Sequence, residues 1–209
     1  MDIRVFLGPT IPPPIRPSIE GVVYFEPARR GDIRRAMEEG ATHIGLIDGE
    51  FRQNLSVSPT EIRAAAEAGV LIFGSSSMGA IRAVECPRHM TGIGTVFEWF
   101  RDGVIDGDDE VAGTYDPLTF ETSAIPLVNV RFALAEFEMQ GKISATQITQ
   151  IVEAIAKTTY DQRTEYTVRQ AMASIPDKLR NEIIQSALDG TGNIKRSDAL
   201  LLLNKFTSS

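Results

Sequence analysis

SPTEIRAAAEAGVLIFGSSSMGAIRAVE, residues 58–85, is the stretch that decides the fold. Ser58 suits a helix cap, Pro59 the first helical position, and Glu61, three residues after the serine, completes a capping box. Gly69 closes that helix. Val70 to Phe73 is then apolar throughout, as a strand covered on both faces requires. From Gly74 the chain turns into a second helix, Met78 to Glu85, which Pro87 stops. Helix, strand, turn and helix in this order is the repeating unit of a parallel sheet with crossover connections.

Outward from this unit the same grammar recurs. Ile3 to Leu7, Val22 to Phe25 and His43 to Ile47 read as further strands, closed by Gly8-Pro9, Glu26-Pro27 and Asp48-Gly49, with a helix over Gly31 to Glu39. From about Leu127 the pattern is helical only. Ser144 and Gln147 open a helix whose Ile148, Ile151, Val152 and Ile155 share one face. More helices are predicted over Asp161 to Met172, Pro176 to Leu188 and Ser197 to Phe206. The expected fold class is α/β: a small, mostly parallel sheet with crossover helices in residues 1–126, then an all-helical region, residues 127–209, packed on that core. The tail Thr207 to Ser209 has nothing to bury and is expected to fray.

Composition narrows the function. Charged residues make up 23% and hydrophobic ones 43%, as in an ordinary globular protein, and the net charge of -7 argues against nucleic acid as a partner. One cysteine, Cys86, forms no internal disulfide and offers no Cys/His cluster for zinc, so no metal site is expected. The N-terminus carries Asp2 and a five-residue apolar run, too short for a signal core or a membrane span. These features predict a cytoplasmic chain without a membrane partner.

The serines of the Gly74 to Gly79 turn are the chemical question. A P-loop has this glycine spacing, but Ala80 and Ile81 stand where its Lys and Ser/Thr belong. A nucleophile on a strand-to-helix turn fits Ser75-Ser76-Ser77-Met78-Gly79, apart from Ser75 at the first glycine of GxSxG. Ser77-Met78-Gly79-Ala80 also looks like the segment around the nucleophile of Clp-type proteases, which keeps a peptidase or esterase in view. The plainer alternative makes the serines caps and the glycines packing positions. A base is not evident, because His43 begins a strand and His89 sits in a loop. A buried lysine is another route, and the chain has five: Lys142, Lys157, Lys178, Lys195 and Lys205.

Two charged clusters remain. Starting an EF-hand at Asp106 puts Val111 and Pro117 at the sixth and twelfth positions, where glycine and glutamate belong, so Asp106 to Glu110 is a solvated or site-lining loop. Arg29, Arg30, Arg34 and Arg35 present either a solvated face or a grip for the carboxylates of a protein partner.

Taken together, GPT at Gly8 to Thr10, EPARRGD at Glu26 to Asp32, IGLIDGEF at Ile44 to Phe51, SPTEI at Ser58 to Ile62, GSSSMGAIRA at Gly74 to Ala83, GIGTVF at Gly92 to Phe97 and DDEVA at Asp108 to Ala112 resemble the TfuA family. KRSDAL at Lys195 to Leu200 is similar to its C-terminal KRxDA pattern. The resemblance implies a partner of a YcaO enzyme, which activates a peptide amide with ATP so that sulfur replaces its oxygen. It also implies hydrolysis of a thiocarboxylated ThiS-type sulfur carrier to release sulfide, help in engaging the precursor peptide, and no cofactor of the chain's own. A Ser-Lys pair is attributed to the family. The serine falls at Ser77, with Met78 and Gly79 at the oxyanion position; Asp48, Arg82 and Asp109 line the site or hold it together. Several relatives carry a lysine where this chain has Thr60. Lys195, the one lysine in a family-like motif, is therefore the candidate base, and a non-catalytic adaptor for YcaO and its precursor is the alternative.

Overall fold

A computed structural model describes residues 1–51 and 55–207. Its sheet has five parallel strands: β1 (Ile3–Phe6), β2 (Val22–Phe25), β3 (His43–Leu46), β4 (Leu71–Ser75) and β5 (Thr91–Ile93), in the order β2-β1-β3-β4-β5. Helices α1 (Asp32–Glu38), α2 (Pro59–Glu67), α3 (Met78–Glu85) and α4 (Thr95–Arg101) lie between or after the strands. Then come α5 (Leu127–Met139), α6 (Ala145–Ala156), α7 (Glu165–Ala171), α8 (Asp177–Asp189) and α9 (Ile194–Asn204). The expected α/β class, with a helical region after the sheet, is what the chain adopts.

The capping boxes at Ser58 and Ser144 both form, side chain to N3 backbone and back. Other details depart from the sequence reading. A fifth strand and α4 occupy the GIGTVF segment, where Thr91–Ile93 alone is too short to register as an apolar run. β4 runs on to Ser75 instead of ending at Phe73. The helix expected over Asp161 to Met172 is a 3-10 turn at Tyr160–Gln162 and then α7, capped by Thr164, whose hydroxyl accepts from the Thr167 N–H. α9 starts at Ile194 and not at Ser197. Ser208 and Ser209 of the expected frayed tail lie outside the described residues.

By contacts the chain forms two compact units, one of Met1–Asp108 with Lys195–Ser209, the other of Asp109–Ile194. In the first, α1, α2 and α3 cover one sheet face, where Phe6, Ile33, Ile44, Leu46, Ile62, Ile72 and Ala83 form one cluster. α9 and the turn after it cover the other, joining Leu202, Leu203 and Phe206 to Ile3, Val5 and Leu7. Alternation along β1 explains this, since Ile3 and Val5 point to one side and Phe6 to the other. The second unit has its own core, built from α5 to α8 around Leu134, Ile151, Val168 and Ile183. Among the described residues no helix is long and apolar enough to cross a membrane.

Candidate functional site

In open parallel sheets the crevice beyond the carboxyl ends of the strands, where strand order reverses, is where ligands bind. Here the order reverses between β1 and β3, and four family-like segments gather at that end of the first unit. Gly8 to Thr10 follow β1, Asp48 follows β3, Ser75 to Ser77 close β4, and Lys195 opens α9.

Asp48 is buried and locked. Its Oδ2 accepts from the N–H groups of Gly8 (2.9 Å) and Thr10 (3.0 Å), and its Oδ1 from the Thr10 hydroxyl (2.6 Å). Arg16 braces the same loop by donating from Nε to the Ile11 carbonyl (2.8 Å) and from Nη2 to that of Leu7 (2.7 Å). The strand-end turns are thereby fixed in place for whatever they present.

The serine turn carries backbone strain. Ser76 has φ +64°, unusual for a residue with a Cβ, and the Ser77 N–H donates to the Ser75 carbonyl at 2.7 Å, closing a tight γ-turn. The Ser76 hydroxyl donates to the Lys195 carbonyl at 2.8 Å and lies 3.1 Å from the Ser75 hydroxyl, so these two serines tie the turn to α9. Ser77 flanks the start of α3, yet its side chain makes no capping bond, nor any other hydrogen bond among the described residues. Capping therefore does not explain Ser77.

At the start of α3 the Gly79 N–H donates to the Ile47 carbonyl (3.2 Å) and the Ala80 N–H to that of Ser77 (3.1 Å). The Met78 N–H has no partner among the described residues, which leaves it as the donor beside the Ser77 hydroxyl. Gly79 serves packing, because a Cβ there would fall 1.8 Å from the Leu46 carbonyl oxygen.

Lys195 is buried, and burial pushes its ammonium pKa down, opposed by the negative charge of Asp48. Its helix is anchored three residues on. Asp198, fully buried, accepts from the Thr95 (3.0 Å) and Val96 (2.7 Å) N–H groups at the start of α4. A Cβ at Gly94, which has φ +95°, would meet that carboxylate at 2.2 Å. Nothing in the spacing of GIGTVF and KRSDAL announces this pairing across about a hundred residues.

Burial raises the Asp198 carboxyl to about 6, the two backbone N–H groups working against the shift. A raised folded pKa means that the native state binds more protons than the unfolded chain between about 4 and 6, so this group's contribution to stability falls as pH rises through that window. Asp198→Asn removes the dependence. Urea denaturation of both proteins at pH 4 and pH 7 should show wild type losing, relative to the variant, up to roughly 3 kcal/mol over that range.

The other candidate residues have different surroundings. Arg82 donates from Nε to the Val57 carbonyl (2.6 Å) and from Nη1 to Glu85 (2.6 Å), pinning the loop before α2 to α3. Asp109 belongs to the second unit, where its carboxylate and carbonyl both receive the guanidinium of Arg163, a fully buried side chain. Glu110 beside it takes Arg131 through both oxygens, at 2.7 to 3.1 Å. Much of the acidic loop is thus spent on internal arginines. Thr60 is exposed on a cleft of about 320 Å³ that it shares with Arg63, Cys86, Arg88 and His89, and none of the serines lines that cleft. Among the described residues no three His, Cys, Asp or Glu side chains stand together as metal ligands would.

No curated protein matches the chain. The family model described as TfuA-like protein matches residues 48–164, which is more than half of the sequence and runs from Asp48 through the serine turn to the Asp109–Arg163 clamp. The chain belongs to the TfuA-like family.

Proposed function

We propose that this protein hydrolyses the thiocarboxylate of a ThiS-type sulfur carrier and releases sulfide for a YcaO enzyme that installs a peptide thioamide. The observation that carries this reading is the Ser77 hydroxyl. It stands on a strained strand-to-helix turn, unspent on capping, beside an N–H that no other group among the described residues takes up. Lysine acts as a base when burial favours its neutral form, as it does at Lys195.

In the proposed reaction Ser77 Oγ forms a bond to the thiocarboxylate carbon while its proton passes to the Lys195 amine. The Met78 N–H stabilises the oxyanion. The carbon–sulfur bond then breaks, and the proton goes from Lys195 to the departing sulfur to give hydrosulfide. Water attacks the resulting ester with Lys195 as base, the ester bond breaks, and that proton passes from Lys195 to Ser77 Oγ; the carrier leaves as a carboxylic acid, which loses the second proton of the water to solvent and becomes the carboxylate.

The test is to incubate the protein with thiocarboxylated carrier and follow conversion to carboxylate by mass and sulfide by trapping. Wild type should turn over, and Ser77→Ala should lower kcat by roughly 10³-fold or more. Equal turnover by the variant would sink the proposal.

A second reading, an adaptor that brings YcaO and its precursor peptide together without chemistry, has one observation in its favour. The serine run is tied to the carbonyl of Lys195, while the Ser77 hydroxyl itself has no hydrogen bond to any described residue. It predicts tighter precursor binding by YcaO in the presence of wild type and Ser77→Ala alike, with no loss of carrier thiocarboxylate.

A further inference from the structure

Ser76 fixes two directions at once. Its backbone, at φ +64° and closed by the 2.7 Å bond from the Ser77 N–H to the Ser75 carbonyl, sets the angle at which Ser77 leaves β4 for α3. Its hydroxyl lies 2.8 Å from the Lys195 carbonyl and is the donor there, because a carbonyl only accepts. A hydroxyl has one proton, so in the 3.1 Å contact between the two serines it is the Ser75 hydroxyl that donates to Ser76 Oγ. The result is a directed chain from Ser75 through Ser76 to residue 195, in which both serines are fully buried and each bond polarises the next.

The far end of that chain stands 119 residues away in sequence, and it is the residue whose amine is the base of the proposed reaction. α9 has a second anchor, Asp198, which accepts from the Thr95 and Val96 N–H groups and binds the helix to α4 whatever happens at the serine turn. The Ser76 bond acts elsewhere, on the first turn of α9, and joins residue 195 to the neighbour of Ser77. Asp48, at the end of β3, is the charged group that acts on the Lys195 amine, and its carboxylate is held by Gly8 and Thr10, not by Ser76. Loss of the Ser76 hydroxyl therefore frees the start of α9 while leaving the helix anchor and the neighbouring charge in place. Glycine adopts a positive φ at less cost than serine, so the turn by itself does not call for serine at this position; the hydroxyl does.

We propose that Ser76 is a positioning residue, whose hydroxyl holds Lys195 in register with Ser77, resting on the hydrolase reading for the reaction that this register serves. Ser76 acts through residue 195 and touches no reacting atom. A misplacement of about 1 Å between reacting groups costs on the order of 10²-fold in rate.

The experiment compares the full-length wild type with Ser75→Ala, Ser76→Ala and Ser76→Gly, after circular dichroism has established that each folds. Ser76→Gly relieves the backbone strain and so keeps the test open if Ser76→Ala does not fold. With a thiocarboxylated ThiS-type carrier as substrate, both Ser76 variants should lose about 10²-fold in kcat with KM within about 2-fold of wild type, and Ser75→Ala should stay within about 3-fold in kcat. The second readout needs no turnover: NMR titration of the Lys195 side chain in lysine-labelled protein, its signal assigned by its absence from Lys195→Met. Burial holds that amine below an ordinary lysine in wild type, and in both Ser76 variants its midpoint should move up toward the ordinary value as the freed helix start admits water, whereas Ser75→Ala leaves it in place. A Ser76→Gly protein with wild-type kcat overturns the proposal, and so does a Lys195 midpoint unchanged in both Ser76 variants, or a loss of kcat in Ser75→Ala equal to that in Ser76→Ala. If wild type does not hydrolyse the carrier while the Lys195 midpoint still moves in the Ser76 variants alone, the positioning role stands and the hydrolase reading falls.

Discussion

Lys195→Arg is expected to abolish carrier hydrolysis, by roughly 10³-fold or more in kcat, while leaving the fold intact. Arginine keeps a positive charge near Asp48 but does not give up its proton in the working pH range, so it satisfies the electrostatics of the site without serving as a base. Lys195→Met should be equally inactive. If Lys195 only held α9 to the turn, the arginine variant would retain most activity, because the Ser76 hydrogen bond is made to the backbone carbonyl of residue 195 and not to its side chain.

The pH dependence adds a second check on the same residue. A base works deprotonated, so the wild-type rate should rise with pH up to a pKa below that of an ordinary lysine and then level off. Stability carries the matching signature. Between the lowered folded pKa and about 10.4 the unfolded chain binds the extra proton, so wild-type stability rises with pH across that window. Lys195→Met removes the rise. Denaturant titrations of wild type and Lys195→Met at three or more pH values in that window would reveal it.

Gly79→Ala is expected to be the most destabilising single methyl in the first unit. The added Cβ would lie 1.8 Å from the Leu46 carbonyl oxygen and 3.2 Å from Gly74 Cα, and a Cβ at Gly74 would in turn lie 2.2 Å from the Gly79 carbonyl oxygen. These are backbone atoms, so no side-chain rotation relieves the contact. α3 would have to lift from β3 and β4, breaking the Gly79 N–H to Ile47 bond and shifting Ser77. Overpacking of this severity costs about 4 kcal/mol, well above the usual range for one added methyl. At Gly113 the nearest atom to a new methyl is 3.9 Å away, and the same substitution there should change stability by no more than about 0.5 kcal/mol. Urea denaturation followed by far-UV circular dichroism separates the two.

The sequence alone determined the local elements. Capping boxes at Ser58 and Ser144, apolar runs ended by Gly8 and Gly49, and the helical spacing from Ile148 to Ile155 are written in neighbouring residues, and short-range sterics and hydrogen bonds act on neighbours. Those signals also single out Ser77 by its place in a turn, and Lys195 once its motif is matched. Only the tertiary structure decided which distant residues meet. Asp198 caps α4 about a hundred residues before it, Thr10 locks Asp48, and Ser76 takes the strain while its hydroxyl holds α9. Each of these contacts depends on a strand order, β2-β1-β3-β4-β5, that brings separate chain ends to one edge of the sheet. The return of α9 to the sheet is of the same kind. Leu202 of α9 and Phe206 just beyond it fit over Gly45, where any Cβ would press on both, and that complementarity exists only once the strands are paired and one face is left to cover. Periodicity tells a residue that it will be buried; pairing and packing over long chain separations decide against what.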